Sequence, residues 1–183
     1  MLHIRTIFIC LMTVALVSFG FSNHESPISC DYLRINFYEL QNGKAQPQDA
    51  VILAFDERFN NEFDQEDTRQ QHRNGPSLSI VHPEATLSVE KRQMPFSGEN
   101  IPLRIMNLEP GNIYLFKISG QSLNQMEHSL VLRDDYLKKD YQIEEKESLL
   151  IEFQIDEHPE SASENRFRLL SICDELRELT VCQ

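Results

Sequence analysis

The sequence contains no tryptophan, only five tyrosines and only 6 glycines in 183 residues. So little glycine beside 8 prolines excludes a collagen-like or low-complexity chain. A hydrophobic share of 40% excludes a disordered one. Basic residues are also short, 17 against 29 acidic, for a formal charge of −12. A chain of that charge repels phosphate and does not hold nucleic acid or an anionic membrane by bulk electrostatics. Catalytic signatures are missing as well: there is no GxSxG, GxxxxGK[ST], GxGxxG or HExxH. His82 and His158 each precede a proline and read as turn residues. No cysteines take the CxxC spacing of a structural zinc site.

What is present begins with an address. Residues 1–22 have the parts of a secretory signal: Arg5 in a short head, an apolar stretch from Ile7 to Val17, and Gly20 and Ser22 placed for cleavage before Asn23. That stretch falls short of the roughly 20 residues that span a bilayer as a helix, and no later run is longer, so no transmembrane span is expected in the mature chain. Residues 23–183 are expected to form one acidic exported domain, with a core over 31–172 and a short helical or irregular tail over 173–183. The expected location is secreted, periplasmic or at the cell surface.

Export changes the meaning of the cysteines. Cys10 leaves with the signal, and Cys30, Cys173 and Cys182 remain as disulfide candidates. The pairings 30–173, 30–182 and 173–182 are all open. The first is preferred if the strands that follow Cys30 and precede Cys173 are neighbours, which would bring their Cα atoms within roughly 4.4–6.8 Å. Acylation of Cys30 is disfavoured, because Pro27 occupies the position where a lipobox has Leu.

Period-two alternation dominates the rest. Apolar residues share one face at Leu33, Ile35 and Phe37, at Val51, Leu53 and Phe55, at Leu78 and Ile80, and at Leu87 and Val89. The pattern continues at Ile101, Leu103 and Ile105, at Tyr114, Phe116 and Ile118, from Leu149 to Ile155, and at Phe167 and Leu169. This is the signature of half-buried antiparallel strands. Asn42-Gly43, Asn74-Gly75-Pro76, Ser97-Gly98 and Pro110-Gly111-Asn112 punctuate them. The fold class expected is all-β, an antiparallel β-sandwich of jelly-roll type with about eight to ten strands. Phe59 to Arg73 breaks the alternation and reads as a long polar loop with a helical turn.

The runs DAVILAFDERFNNEFDQEDTRQ, TLSVEKRQMP, ENIPLRI and ENRFRLL, in that order, resemble a β-sandwich module of exported and surface proteins of the Bacteroidota, associated with type IX secretion and adhesion. The resemblance covers most of Leu33 to Ser171. It implies a non-catalytic structural or binding module, adhesin-like, whose partner is a cell-surface protein or a glycan. The usual C-terminal sorting domain is not matched, since the sequence given ends in LTVCQ.

Candidate sites follow from chemistry. Asp56, Asp64, Glu66 and Asp67 lie in one acidic segment whose oxygens suit calcium, although Arg58 and the lack of a glycine break the EF-hand template. Calcium is the one cofactor considered. Arg92 and Arg166, in the runs that carry the resemblance, and Tyr136 are candidate ligand contacts. Arg92 has Glu99 within reach for an ion pair tethering strand ends, and Arg166 is expected to point outward beside a buried Phe167. The alternative functions are a small carbohydrate-active enzyme and a calcium-binding surface module.

Overall fold

The computed structural model describes residues 30–71, 73–121, 123, 128–144 and 148–173. The proposed signal, Cys182 and the tail beyond Cys173 lie outside them. Eleven strands follow one another: β1 (Asp31–Gln41), β2 (Lys44–Phe55), β3 (Thr68–Arg69), β4 (Ser77–His82), β5 (Ala85–Arg92), β6 (Asn100–Met106), β7 (Ile113–Gln121), β8 (His128–Asp134), β9 (Lys139–Gln142), β10 (Leu149–Gln154) and β11 (Phe167–Cys173). A 3-10 turn spans Pro159–Ala162. No described residue is in an α-helix, so the chain is all-β, and none of its described helices is long and apolar enough to cross a membrane.

The turn residues act as their chemistry requires. Asn42 and Gly43 both have positive φ, 52° and 73°, the conformation of a two-residue type I′ hairpin. The turn sets β1 against β2 with Leu33 opposite Leu53 and Ile35 opposite Val51, so both apolar faces fall on one side. A residue more on β2, between the partners of Phe37 and Tyr38, makes a bulge at Gln48. Pro83 and Glu84 turn β4 into β5.

The strands form one continuous sheet in the order β10-β7-β1-β2-β5-β4-β6-β11-β8-β9, with β3 added on β5. Two separate antiparallel sheets were expected; there is one mixed sheet, because β2 and β5 are parallel. A parallel neighbour cannot be reached through a hairpin, so residues 56–84 make a crossover that carries β3 and β4. The sheet curls into a half-barrel. Phe116 on β7 and Phe153 on β10 touch Phe167 on β11, with ring centroids 5.0 and 4.8 Å apart, although five or six strands separate them along the sheet.

The core fills the concave side. Phe55, Leu87, Leu103, Phe116, Ile151, Phe153 and Phe167, which the alternation assigns to the interior, are each at most 3% exposed. Tyr114 joins them, and its hydroxyl accepts a bond from the Glu109 amide at 3.0 Å. The segment 59–73 carries β3 in place of the expected helical turn, with Phe63 packed on the core.

Cys30 and Cys173 are free thiols. The neighbouring of first and last strands on which a 30–173 bridge depended is not found: β2, β5, β4 and β6 lie between β1 and β11. β1 instead takes β7 as its second partner, and β11 takes β6 and β8.

Phe153 contacts the rings of Phe37, Tyr114, Phe116 and Phe167. Phe153→Ala is expected to cost about 3–5 kcal/mol, read from the midpoint shift in denaturant unfolding at constant slope. A loss under about 1 kcal/mol would mean that the site collapses without consequence and that these contacts do not hold the halves together.

Candidate functional site

Alternation that sends Leu33, Ile35 and Phe37 inward sends Arg34, Asn36 and Tyr38 to the convex side of β1. The crossover then passes over this face. Its segment Thr68–Arg73 is held by backbone and side-chain bonds: Gln70 N donates to Thr86 O at 2.8 Å, Ser88 Oγ to Thr68 O at 3.3 Å, and Arg73 Nη1 to Gln48 O at 3.0 Å. Asp49 is the pin. Its side chain is 5% exposed and accepts bonds from Gln70 Nε2 at 2.6 Å, Leu78 N at 3.0 Å and Ala50 N at 2.9 Å. Between the β1–β2 face and this segment runs a groove of about 560 Å³, lined by Arg34, Asn36, Tyr38, Arg69, Arg73 and several amides.

The arginines separate into two groups. Arg58, Arg92, Arg104, Arg133, Arg166 and Arg168 each have a carboxylate oxygen within 3.1 Å, on Asp56, Glu90, Glu164, Asp140, Asp134 and Asp135 respectively. The three remaining described arginines are Arg34, Arg69 and Arg73, and all three line the groove. Arg34 bonds Asn36, Arg69 lies over the Phe63 ring at 4.4 Å, and Arg73 reaches Asp49 only at 3.9 Å. The described arginines without a close carboxylate are thus gathered at one concave place.

The residues singled out from sequence go elsewhere. Arg92 binds Glu90 at 3.1 Å and also Glu99, which is the expected tether between strand ends. Arg166 does not point outward. It is 2% exposed, because it sits in the turn before β11, where the alternation does not yet apply. Its guanidinium lies over the rings of Tyr136, Phe153 and Phe167 at 4.9, 5.1 and 5.0 Å. Its Nη2 and Nε donate to Asp134 at 2.7 and 3.0 Å, and Nη1 to Ser161 O at 2.8 Å. Tyr136 forms part of this cage, its hydroxyl donating to Asp156 at 2.6 Å, so its ring is not an open sugar platform. Arg92 pairs with Glu99 just before β6, whereas Arg166 pairs with Asp134 just before β11, and the two do not share a site.

The acidic segment spends its carboxylates internally. Asp56 takes Arg58 side-on, Asp64 caps Glu66 N at 2.7 Å, Asp67 accepts from Asp64 N and Lys91 N, and Glu66 pairs with Lys91. Among the described residues no three His, Cys, Asp or Glu side chains are grouped to hold a metal ion. The groove was missed because Arg34 lies far in sequence from Arg69 and Arg73 and the three follow no motif; only the crossover brings them together.

Two outcomes test this geometry. Hydrogen bonds from Arg58 lower the Asp56 carboxyl from 3.8 to about 2. A depressed folded-state value means that this contribution is present above the unfolded value and fades as pH falls toward 2. Carboxyl NMR titration should find it there, and Arg58→Ala should return it toward 3.8. Asp134→Asn, which leaves the Arg166 charge buried without its partner, should cost about 3–5 kcal/mol in chemical denaturation. No known protein family, characterised protein or solved structure matches this chain, so the groove is interpreted from its own chemistry.

Proposed function

We propose that the protein is an exported, non-catalytic binding module that holds an anionic, hydroxyl-rich ligand, an acidic glycan, in the groove between β1–β2 and the Thr68–Arg73 segment. The observation that carries this reading is the gathering of Arg34, Arg69 and Arg73, the three described arginines with no carboxylate within 3.1 Å, around one concavity. Guanidinium groups bind carboxylate and sulfate through paired N–H donors, and such charge-assisted bonds are roughly twice as strong as neutral ones. Asn36, Gln48 and Gln70 supply both donors and acceptors for hydroxyl groups, and Tyr38 supplies a ring. A volume of about 560 Å³ falls in the range of small-ligand sites.

The field of the whole chain works against long polyanions, since a charge of −12 repels whatever extends beyond the groove. This favours a short acidic oligosaccharide over nucleic acid. Support for a non-catalytic role comes from Asp49, the carboxylate lining the groove. Its three hydrogen bonds from Gln70, Leu78 and Ala50 commit it to holding the wall, and among the described residues no second carboxylate lines the groove for acid–base work. The secretory pattern of residues 1–22 and the resemblance to surface modules support export.

Titration calorimetry with uronic-acid oligosaccharides and with their carboxyl-reduced counterparts tests the proposal. The acidic forms should bind more tightly, and affinity should fall as salt rises. Arg34→Ala with Arg69→Ala should weaken binding by at least about tenfold while lowering the unfolding midpoint only slightly, because the hydrogen bonds that hold the wall come from Gln70, Ser88 and Arg73, and Arg69 adds only its contact with Phe63. Equal affinity for the reduced sugars, or no effect of the double variant, would overturn it.

A further inference from the structure

A second concavity lies at the other end of β4 and β6. It measures about 470 Å³ and is bounded by the β4–β5 turn at His82 and Pro83, by Asn61 of the crossover, by Asn100 and Pro102 of β6, and by Glu90 and Arg92 of β5. The Glu90 and Arg92 side chains are only 6% and 9% exposed, and Arg92 spends Nη1 on Glu90 Oε1 and Nη2 on Glu99. Among the described residues, Glu90 Oε2 accepts no hydrogen bond and Arg92 Nε donates none. A buried polar atom left without a partner is destabilising. One is an acceptor and the other a donor, two residues apart on one face of β5.

From this pairing we infer that the cavity is a second ligand site, for a neutral sugar or polyol presenting two adjacent hydroxyl groups. One hydroxyl donates to Glu90 Oε2, and its neighbour accepts from Arg92 Nε. A diol meets both requirements at once without adding charge. The surroundings disfavour the two charged alternatives. An anion would meet Glu90 and Glu99, with the field of Asp67 also acting on Glu90, and an ammonium would meet the Arg92 guanidinium. Both orphan atoms expose under 1 Å², so contact requires side-chain rotations of both Glu90 and Arg92 toward the cavity. Burial already raises the Glu90 carboxyl above the ordinary glutamate value, in keeping with a group short of hydrogen bonds. The Asn61 and Asn100 amides at the rim offer further contacts to ring hydroxyls. The site is separate from the arginine groove and does not depend on the reading given to it.

Backbone amide NMR of the whole mature chain, titrated with neutral methyl glycosides carrying vicinal hydroxyls, tests the inference. Saturable shifts should appear at Asn61, His82, Glu90 and Asn100, and should persist when the groove variant Arg34→Ala/Arg69→Ala is used. Glu90→Gln should weaken binding by about tenfold or more. The wild-type chain gives a second comparison that needs no variant: per-O-methylated glycosides, which lack donors, should leave these amides unmoved. Absence of saturable shifts at these residues up to solubility, or equal shifts from the methylated sugars, would overturn the proposal.

Discussion

The contact of Phe116 and Phe153 with Phe167 holds the molecule in its shape. These rings belong to opposite halves of one sheet, and without their packing the sheet has no reason to curl. Tilted and edge-on pairs of this kind add about 0.5–1.5 kcal/mol each beyond the area they bury. Arg166 closes the end of the same cluster, its guanidinium covering two of those rings while Asp134 neutralises it. A charge buried to this degree is tolerated because each carboxylate oxygen and most guanidinium donors have partners. The aromatic core and the ion pair are therefore one device, with hydrocarbon inside and a satisfied charge as its lid.

The convex face depends on that closure. Once the concave side is saturated with apolar side chains, every second residue of β1, β4, β5 and β6 points to the other side and is free to be polar. The parallel pairing of β2 with β5 then decides what this face looks like. A hairpin would have kept the connection at the sheet's end, whereas the crossover lays residues 56–73 across the strands and creates walls where a bare sheet would be flat. Asp49 fixes the wall at one end and Asp67 at the other, through the amide of Lys91. The acidic segment thus fastens the crossover to the sheet.

Local signals were legible in the sequence and long-range ones were not. All eight runs with period two became strands, with the expected residues buried except the half-buried Val89 and Leu149, and Asn42-Gly43 became the hairpin that such a pair encodes. β8 escaped notice because Leu130, Val131 and Leu132 are all buried in succession, which removes the alternation. β9, KDYQ, is a polar edge strand and carries almost no pattern. Arg166 was misplaced by extending the strand rule one residue past the strand. The arginine groove had no linear trace, since it depends on which strands meet, and alternation is blind to strand order.

One feature of that order bears on how the chain is made. β11, the last of the described strands, lies between β6 and β8, and it also supplies Phe167. Until it emerges from the ribosome, β6 and β8 each present an unpaired edge of backbone donors and acceptors. Pairings such as β1 with β7, some 80 residues apart in sequence, already make folding slow by loop closure. The growing chain therefore passes through a stage in which most of its apolar strands exist but the keystone is missing. Its hazard is intermolecular strand pairing during synthesis, and a binding partner that shields the β6 and β8 edges at that stage would matter more than any gain in final stability.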